Sequence, residues 1–318
     1  MATNVQGYNA TSGVNALSAE NAEFYQDAML ERLIPELFFM KYGEKKNIPK
    51  NKGAVTSFRR LNALAVSTTA LTEGVTPDGI DLNISKINAT VQEYGNYTKI
   101  SEFLNLTGLD PILTETAQLM GENAGESIDT LVRDMVSAGT NVIYANGKAS
   151  RVTLTATDKI TALDILKVRR TLKRNKVKPV TLPDGSKGFL SFIHTDVATD
   201  LMLTQEWKDQ NTYVDTKNRQ DGILGKMYGI YFLEADNAVK FTGAGAAGAD
   251  VFGTVFIGKG AYGVPDIEGS SKPQIIVHDA KIAGGALEQF STVAWKAAFT
   301  TARLNELCIV RYESGATV

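Results

Sequence analysis

The sequence has few of the residues on which metal sites and disulfide-stabilised folds depend. Of its 318 residues only one is cysteine, Cys308, and two are histidine, His194 and His278. No intramolecular disulfide is therefore possible, and a zinc site has few ligands to choose from. No apolar run is long enough to span a membrane, and the polar N-terminal residues lack the pattern of a signal peptide. The net charge of −2 gives no global sign of a nucleic-acid-binding or disordered protein.

Apolar residues are nevertheless plentiful enough to form a sizeable core. They make up 43% of the sequence, which suits one large domain or two subdomains. The first residues, up to about residue 18, are typical of an extended arm. A helix is predicted from Glu20 to Ile34, where Pro35 ends it, and Leu37–Met40 is a short apolar anchor.

A long hairpin is predicted next. The stretches "AVTSFRRLNAL" and "KINATVQEYGNYTKI" alternate apolar and polar residues as strands do, and a turn-rich excursion with Gly74, Pro77 and Gly79 separates them. These strands carry few large apolar residues. Because such a hairpin is marginally stable by itself, we expect it to lie on another surface.

The clearest predicted helix runs from Asp110 to Tyr144, with Asp110 as its cap and Pro111 in the first helical position. Gly121 and Gly125 inside it predict a close backbone contact or a bend. An apolar stripe at helical spacing follows its length: Leu113, Ala117, Met120, Ala124, Ile128, Leu131 and Met135.

The second half of the chain mixes both element types, so the fold class is predicted to be α+β. Thr161 and Asp164 have the spacing of a capping box at the start of a helix. Strands are predicted in "FLSFI", "GILGKMYGIYFLEAD" and "GTVFIGKGAYG". The closing segment, "STVAWKAAFTTARLNELCIVRYES", is predicted to form a final two-stranded hairpin.

One stretch has the spacing of a phosphate-binding loop. Gly253, Gly258 and Lys259 match the pattern G-x-x-x-x-G-K, so a nucleotide-binding NTPase is one alternative function. Against it, Gly260 stands where the motif has Ser or Thr, and bulky residues fill the loop that must curl around phosphates. The competing interpretation is a buried strand, Thr254–Ile257, that ends in a glycine-rich turn.

A second candidate site groups His194 with Asp196 and Asp200, as a metal or acid–base cluster. The competing interpretation is that Thr195 or Asp196 caps the following helix and His194 packs at the strand end. His278–Asp279 is a weaker candidate of the same kind. Cys308 lies in an apolar strand and is predicted to be a buried thiol, because neither histidine is close in sequence.

A run of basic residues on the helix after Thr161 is the third candidate. No acidic residue interrupts it, so the helix could follow nucleic-acid phosphates and make the chain a nucleic-acid-binding module. It could equally be a solvated face or meet an acidic neighbour, because charge patterning alone does not decide this. Its members are Lys167, Arg169, Arg170, Lys173, Arg174, Lys176 and Lys178.

Several local stretches, in order along nearly the whole chain, resemble the major capsid protein family of N4-like tailed phages. None is a catalytic signature, so the resemblance rests on their number and order. The stretches are "ALTEGVTPDG" (70–79), "VQEYGNYTKISEFLNLTGLDP" (91–111), "VRRTLKRNKVKP" (168–179), "FIHTDVATDL" (192–201), "VFIGKGAYG" (255–263) and "VAWKAAFTTARLNE" (293–306).

The resemblance implies a Hong Kong 97-type capsid fold with five successive parts. These are an N-terminal arm (1–50), an extended loop (51–103), a peripheral domain with a spine helix (104–154), an axial domain (155–285) and return strands of the peripheral domain (286–318). It also implies a structural protein without catalysis, cofactor or metal. Such proteins self-assemble as hexamers and pentamers into an icosahedral head.

The implied partners are further copies of the chain, scaffolding, portal and decoration proteins, and packaged double-stranded DNA through non-specific contact, with no membrane. The implied location is the virion capsid, assembled in the bacterial cytoplasm. Lys86 is a conceivable donor for the Lys–Asn crosslinks known in some capsids of this type. From charge and location, the candidates for inter-subunit ion pairs are Arg59, Arg60, Glu73 and Glu93, and the basic run is expected to face the lumen, the DNA or an interface.

Overall fold

A computed structural model gives the fold. The residues that the structure describes are 25–30, 32–33, 37–48, 53–61, 64, 66–68, 70–71, 73–74, 76, 78–107, 112–182, 185–211, 223–267, 273–278, 287 and 289–317. Within them, residues 25–30 and 32–33 are helical, as predicted for this part of the chain. The longer α-helices are Glu102–Thr107, Ile112–Ser137 (the long helix), Ala162–Arg174 (the basic helix), Thr195–Leu203 and Gln205–Asn211.

The described strands form four sheets. Short 3-10 helices at Phe39–Tyr42, Ala145–Gly147, Arg151–Thr153, Ala246–Gly248 and Glu306–Cys308 connect several of them. In chain order the strands are β1 Glu44–Ile48, β2 Val55–Leu61, β3 Ile84–Thr90, β4 Gln92–Ser101, β5 Val142–Tyr144, β6 Val180–Thr181, β7 Lys187–Ile193, β8 Ile223–Met227, β9 Ile230–Glu234, β10 Val239–Phe241, β11 Val251–Ile257, β12 Tyr262–Ile267, β13 Gln274–His278, β14 Phe290–Phe299, β15 Ala302–Arg303 and β16 Ile309–Ser314.

The largest sheet, called the central sheet below, has eight strands. Its main order is β5-β16-β11-β7-β9-β8, with β10 beside β11 and β6 beside β7. Side chains alternate between its two faces. On one face Val255 and Ile257 join the core that includes the long helix, and on the other Phe252 and Phe256 join the core that includes the basic helix. Because both faces are covered, all seven residues of β11 are buried.

The long helix is shorter than predicted. It ends at Ser137, which makes it about 39 Å long at 1.5 Å per residue, whereas Val142–Tyr144 forms β5 and pairs in parallel with β16. Asp110 and Pro111, the predicted cap and first residue, lie outside the described residues. The predicted close contact at Gly121 is confirmed, because a Cβ there would lie 2.3 Å from the carbonyl oxygen of Met29.

The hairpin is also shorter than predicted. Strands β2 and β3 pair antiparallel from Val55 opposite Thr90 to Leu61 opposite Ile84. The second predicted strand is in fact two strands: the chain leaves the hairpin at Val91, and β4 joins a different sheet in the order β13-β14-β4. The alternation in the sequence continues across this break, so it gave no sign of the change of partner.

The prediction of a closing hairpin is wrong. Strand β14 pairs with β13 and β4, whereas β16 lies between β11 and β5 in the central sheet. Strand β15 and a turn at Asn305 separate them, and the Asn305 side chain accepts a hydrogen bond from the backbone N–H of Leu307. Predictions based on local signals are confirmed: Thr161 caps the basic helix by accepting from the backbone N–H of Asp164, β8 and β9 lie in a predicted strand stretch, and β7 and β11 overlap theirs but begin two residues earlier. None of the helices described is long and apolar enough to cross a membrane.

Candidate interaction surfaces

The stretch with phosphate-loop spacing is a strand followed by a turn. Gly253 lies inside β11, an extended and buried strand that pairs with both β16 and β7. The backbone N–H groups of Gly258 and Lys259 donate to the carbonyl oxygens of Cys308 and Lys178 (both 2.9 Å). Strand β12, rather than a helix, follows the turn. The backbone groups that would hold a phosphate are thus used within the fold, and the NTPase alternative has no structural support.

The histidine cluster has a structural role. His194 itself is the N-cap of helix Thr195–Leu203, because its Nδ1 accepts a hydrogen bond from the backbone N–H of Asp196 (3.1 Å). Neither Thr195 nor Asp196, the predicted caps, fills that position. Burial lowers the pKa of His194, so its imidazole is held neutral and can accept this bond.

The remaining candidates of this kind are also accounted for by packing. Asp200 accepts hydrogen bonds from Lys159 Nζ (3.0 Å) and from the backbone N–H of Thr317 (2.7 Å). Burial raises the pKa of this carboxyl, but these hydrogen bonds outweigh burial and lower it below its ordinary value. Cys308 is buried, as predicted, and burial raises its thiol pKa, but it ends the 3-10 helix Glu306–Cys308 and does not lie in the predicted strand. No group of His, Cys, Asp or Glu in the described ranges could hold a metal ion, and Asp279 lies outside those ranges.

The apolar anchor at Leu37–Met40 ties the N-terminal segment to the body of the protein. The backbone N–H of Phe39 donates to Asp129 Oδ1 on the long helix (2.6 Å), and the carbonyl oxygen of Phe39 accepts from the Tyr262 hydroxyl (2.5 Å). The Phe39 ring packs on Phe192 in the central sheet. Burial raises the pKa of Asp129 to about 6. Sequence reasoning predicted the anchor but not the buried carboxyl that holds it.

The base of the β2–β3 hairpin is attached to the body by its inner face. Phe58 and Ala89 form a small cluster with Ala302 and Leu304. A Cβ at Gly263 would lie 2.7 Å from the Phe58 ring, so glycine is needed there for this contact. The hairpin therefore has one buried face at its base.

Beyond the base, the connection between β2 and β3 exposes its apolar side chains. Five described residues form what we call the apolar tip, and their exposed fractions run from 54% to 79%: Leu64, Val66, Leu71, Ile80 and Leu82. Burial of such a side chain contributes roughly 1.5–3 kcal/mol. Several apolar side chains in one connection, left exposed by the described part of their own chain, are typical of an interaction site.

The outer face of the hairpin brings two positive charges together. Arg59 lies directly opposite Lys86 in the strand register, and both side chains are exposed. Like charges in a cross-strand pair are destabilising, and neither side chain forms a salt bridge with another residue that the structure describes. Arg60 lies on the other face, where its charge acts to lower the pKa of the Cys308 thiol, against the larger effect of burial.

The two acidic candidates have different surroundings. Glu73 is exposed within the tip. Glu93 lies on β4, outside the hairpin, and forms a salt bridge with Lys296 in its own chain (2.9 Å). The structure therefore groups Arg59 with Lys86, leaves Glu73 at the tip, and provides Glu93 with an intrachain partner.

The cations of the basic helix fall into two groups, those that are paired or half-buried and those that are exposed. Lys167 forms a salt bridge with Asp164 one turn earlier (2.8 Å), and Arg169 is half-buried. Arg170, Lys173 and Arg174 are exposed on the side away from the buried Ile165, Val168 and Leu172. The hydrogen bond from Lys259 to Lys178 also brings a lysine from the β11–β12 turn to the end of this run, which sequence spacing could not have shown.

A family model described as phage capsid protein matches residues 84–312. Comparison with curated protein sequences gives no match.

Solved structures similar to the chain are phage capsids. The capsid of Ralstonia phage GP4 aligns over 100% of this chain and 98% of its own, at 12% identity and a TM-score of 0.74. The capsid of cyanophage Pam1 aligns over 99% of both chains, at 16% identity and a TM-score of 0.65. The capsid of cyanophage P-SCSP1u aligns over 88% of this chain and 89% of its own, at 15% identity and a TM-score of 0.64. At these identities the similarity shows a shared fold, and the predicted α+β class is confirmed.

Proposed function

The chain belongs to the phage capsid protein family, and we propose that it is a Hong Kong 97-type subunit of the phage shell. It is a structural protein of the phage head. In the proposed arrangement, hexamers and pentamers of the chain form the icosahedral head of a tailed phage and enclose double-stranded DNA. Assembly would take place in the bacterial cytoplasm, with scaffolding, portal and decoration proteins as further partners.

The apolar tip is the observation that supports this arrangement most. Its five residues are each more than half exposed in the described part of their own chain, whereas the hairpin base is anchored through Phe58. A rigid base with an uncovered apolar tip suits an extended loop that lies across a neighbouring copy. Burial of even part of the tip in each of many copies would contribute strongly to shell stability, because every contact is repeated around the shell.

The paired charges beside the tip fit the same contact. Arg59 and Lys86 repel each other within one chain, so a carboxylate from a neighbouring copy would stabilise both. Glu73 is exposed on the tip itself and is a candidate for that carboxylate. Arg60 and Glu93 contribute less in this proposal, because Arg60 faces the body and Glu93 has Lys296.

We also propose the division into arm, extended loop, peripheral domain and axial domain with the boundaries given by the resemblance. The contacts support it in part: the long helix packs beside β4 and β14, and the basic helix packs on the central sheet. Strand β16 belongs by its pairing to the central sheet, so the return segment after residue 286 would serve both domains.

A function without catalysis is part of the proposal. The residues that could have carried chemistry have structural partners: His194 caps a helix, Asp200 binds Lys159 and Thr317, and Lys259 follows a buried strand. The pKa values of Asp129 and Tyr312 are raised mainly by burial, and the Tyr312 hydroxyl has a structural partner because it donates to Asp164.

The test is assembly of the purified chain, followed by electron microscopy and sedimentation. The wild type should form closed shells or free hexamers and pentamers. Replacement of Leu64, Leu71 and Leu82 by serine should leave the subunit folded, as judged by circular dichroism, but should abolish shells. The matched control replaces Leu163 and Leu203, which are exposed to 62% and 66% elsewhere on the surface. A wild-type chain that stays monomeric would reject the proposed function, and normal shells from the tip variant would reject the role of the tip.

A further inference from the structure

Six cations from two separate parts of the chain form one surface, called the basic surface here. Arg170, Lys173 and Arg174 lie in the last turns of the basic helix, Lys176 and Lys178 follow it, and Lys259 comes from the β11–β12 turn. All six side chains are exposed. None forms a hydrogen bond or salt bridge with another side chain in the part of the chain that the structure describes.

The two parts are held together by backbone contacts. The Lys259 N–H donates to the Lys178 carbonyl oxygen (2.9 Å). A Cβ at Gly258 would lie 2.2 Å from Val177 Cγ1, so only glycine allows this approach. The surface is therefore a fixed feature of the fold.

Helix stability explains only part of this charge. Lys173 and Arg174 lie in the last turn, where cations interact favourably with the helix dipole. Lys176, Lys178 and Lys259 lie beyond the helix and gain little from it. Arg170 also repels Arg174 one turn away, so the cluster costs energy unless an anion meets it.

Lys176 strengthens this interpretation. Its φ of 54° is left-handed, and it occupies the position after the helix end that favours glycine. The N–H of Val177 donates to the Leu172 carbonyl (3.1 Å) and that of Lys176 to the Lys173 carbonyl (2.9 Å), as in a Schellman motif. Lys176 therefore places a cation at a position where glycine would be less strained, beside the other cations of this surface.

The composition of the surface favours nucleic acid over protein. Protein interfaces have an apolar or aromatic centre and few lysines, whereas phosphate backbones are bound by Lys and Arg without an apolar centre. The exposed large apolar residue of the basic helix is Leu163, about 16 Å from Arg174 at the opposite end. One carboxylate lies near the turn: Glu44 Oε2 is 3.9 Å from where a Cβ of Gly260 would be.

We propose that the basic surface binds the phosphate backbone of duplex DNA without sequence preference. This inference rests on the proposed function, in which the shell encloses DNA, and it names the surface that makes the contact. Lys167 and Arg169, the other members of the predicted basic run, take little part because Lys167 is paired with Asp164 and Arg169 is half-buried.

The experiment measures binding of the unassembled full-length chain to a short, end-labelled DNA duplex of mixed sequence over a NaCl series. Each phosphate contact contributes roughly 0.9 to the slope of log Kobs against log[NaCl]. Replacement of Lys173 and Lys178 by glutamine should reduce that slope by roughly 2. The matched control replaces Lys41 and Lys99, two exposed lysines elsewhere, and should leave the slope unchanged.

Lys176→Gly separates binding from folding. It removes a cation and relieves a left-handed lysine, so DNA binding should weaken while the thermal unfolding temperature does not fall. A wild-type chain that forms shells but does not bind the duplex would overturn this inference and leave the proposed function intact. An equal loss of salt dependence in the Lys41/Lys99 control would also overturn it. Tighter binding of polyglutamate than of the duplex would overturn it too, because that result would indicate an acidic protein partner. A wild-type chain that stays monomeric would count against the proposed function instead.

Discussion

Strands β11 and β2 are both seven residues long, yet they place their apolar side chains in opposite kinds of surroundings. Strand β11 lies inside the central sheet, with a core on each face, and all its residues are buried. Strand β2 has one partner strand and a narrow anchored face, and it leads into an apolar tip that stays in water. The central sheet is thus covered on both faces within one chain, whereas the described part of the same chain leaves the hairpin tip exposed, as the proposed contact with a neighbouring copy requires.

The largest expected effect on stability is in the central sheet, which is covered on both faces. Phe256 is fully buried and packs edge-to-face on Phe232 at 6.1 Å. Phe256→Ala should lower the free energy of unfolding by about 3–5 kcal/mol, because it leaves a cavity in a sheet covered on both sides. Urea unfolding of the unassembled chain measures this loss.

The matched variant for Phe256→Ala is Leu71→Ala in the tip. Its side chain is already 76% exposed, so the unassembled chain should lose less than about 0.5 kcal/mol. If Phe256→Ala prevents folding altogether, Phe256→Leu provides a measurable intermediate. A comparable loss of stability at both positions would show that the tip is part of the chain's own core and would remove the distinction.

The sequence predicts the two regions unequally well. The difference depends on whether nearby residues or a distant partner decide the structure. Local signals were sufficient where neighbours in sequence decide the structure, as in the capping box at Thr161. They were also sufficient where residue type alone is informative, as for the glycine that allows a close contact at Gly121 and the apolar run of β11. They failed where a partner far along the chain decides. The alternation around Val91 fits a strand equally well whether it pairs with β2 or with β14, and only tertiary pairing chooses between them.

The candidate surfaces follow the same division. The hairpin and its charges could be located because a hairpin is a local element, and Arg59 and Lys86 were already singled out. The capping role of His194 was missed because Ser, Thr, Asp and Asn are the usual caps. The approach of Lys259 to Lys178 was not predictable, because it depends on β11 ending beside the end of the basic helix.

A medium-sized effect is expected at the joint between the N-terminal segment and the body. Asp129 is 1% exposed, and burial raises its pKa from the ordinary 3.8 to about 6. The folded state therefore holds the proton more tightly than the unfolded state does. The contribution of Asp129 to the free energy of unfolding is therefore greatest below about pH 4 and is lost as the pH rises through about 6. Glu126, Glu234 and Asp236 line the same cavity and add negative charge around it.

Asp129→Asn keeps the shape of the side chain and the oxygen that accepts from Phe39. It should raise the free energy of unfolding by about 1–2 kcal/mol at pH 8 and flatten its pH dependence between pH 4 and pH 7. Thermal unfolding of the unassembled chain over this pH range measures both effects. Glu126→Gln, at an exposed carboxylate of the same cavity, is the control and should change the profile less. A variant with an unchanged pH profile would show that Asp129 does not titrate in this range.

The smallest expected effect, but the sharpest test of the comparison, is at the like-charged pair on the hairpin. Lys86→Glu turns the pair with Arg59 into an opposite-charge pair, which should stabilise the unassembled chain by about 0.2–1 kcal/mol. If the two cations bind a carboxylate of a neighbouring copy, the same change should hinder assembly. The new glutamate would repel that carboxylate and would also pair with Arg59. Thermal unfolding and sedimentation of one preparation measure both effects, and Lys99→Glu, at an exposed lysine on β4, controls for added negative charge. If Lys86→Glu increases both stability and assembly, the pair has no role between subunits. A charge that binds a neighbouring copy should weaken assembly when it is reversed, even though the reversal stabilises the isolated chain.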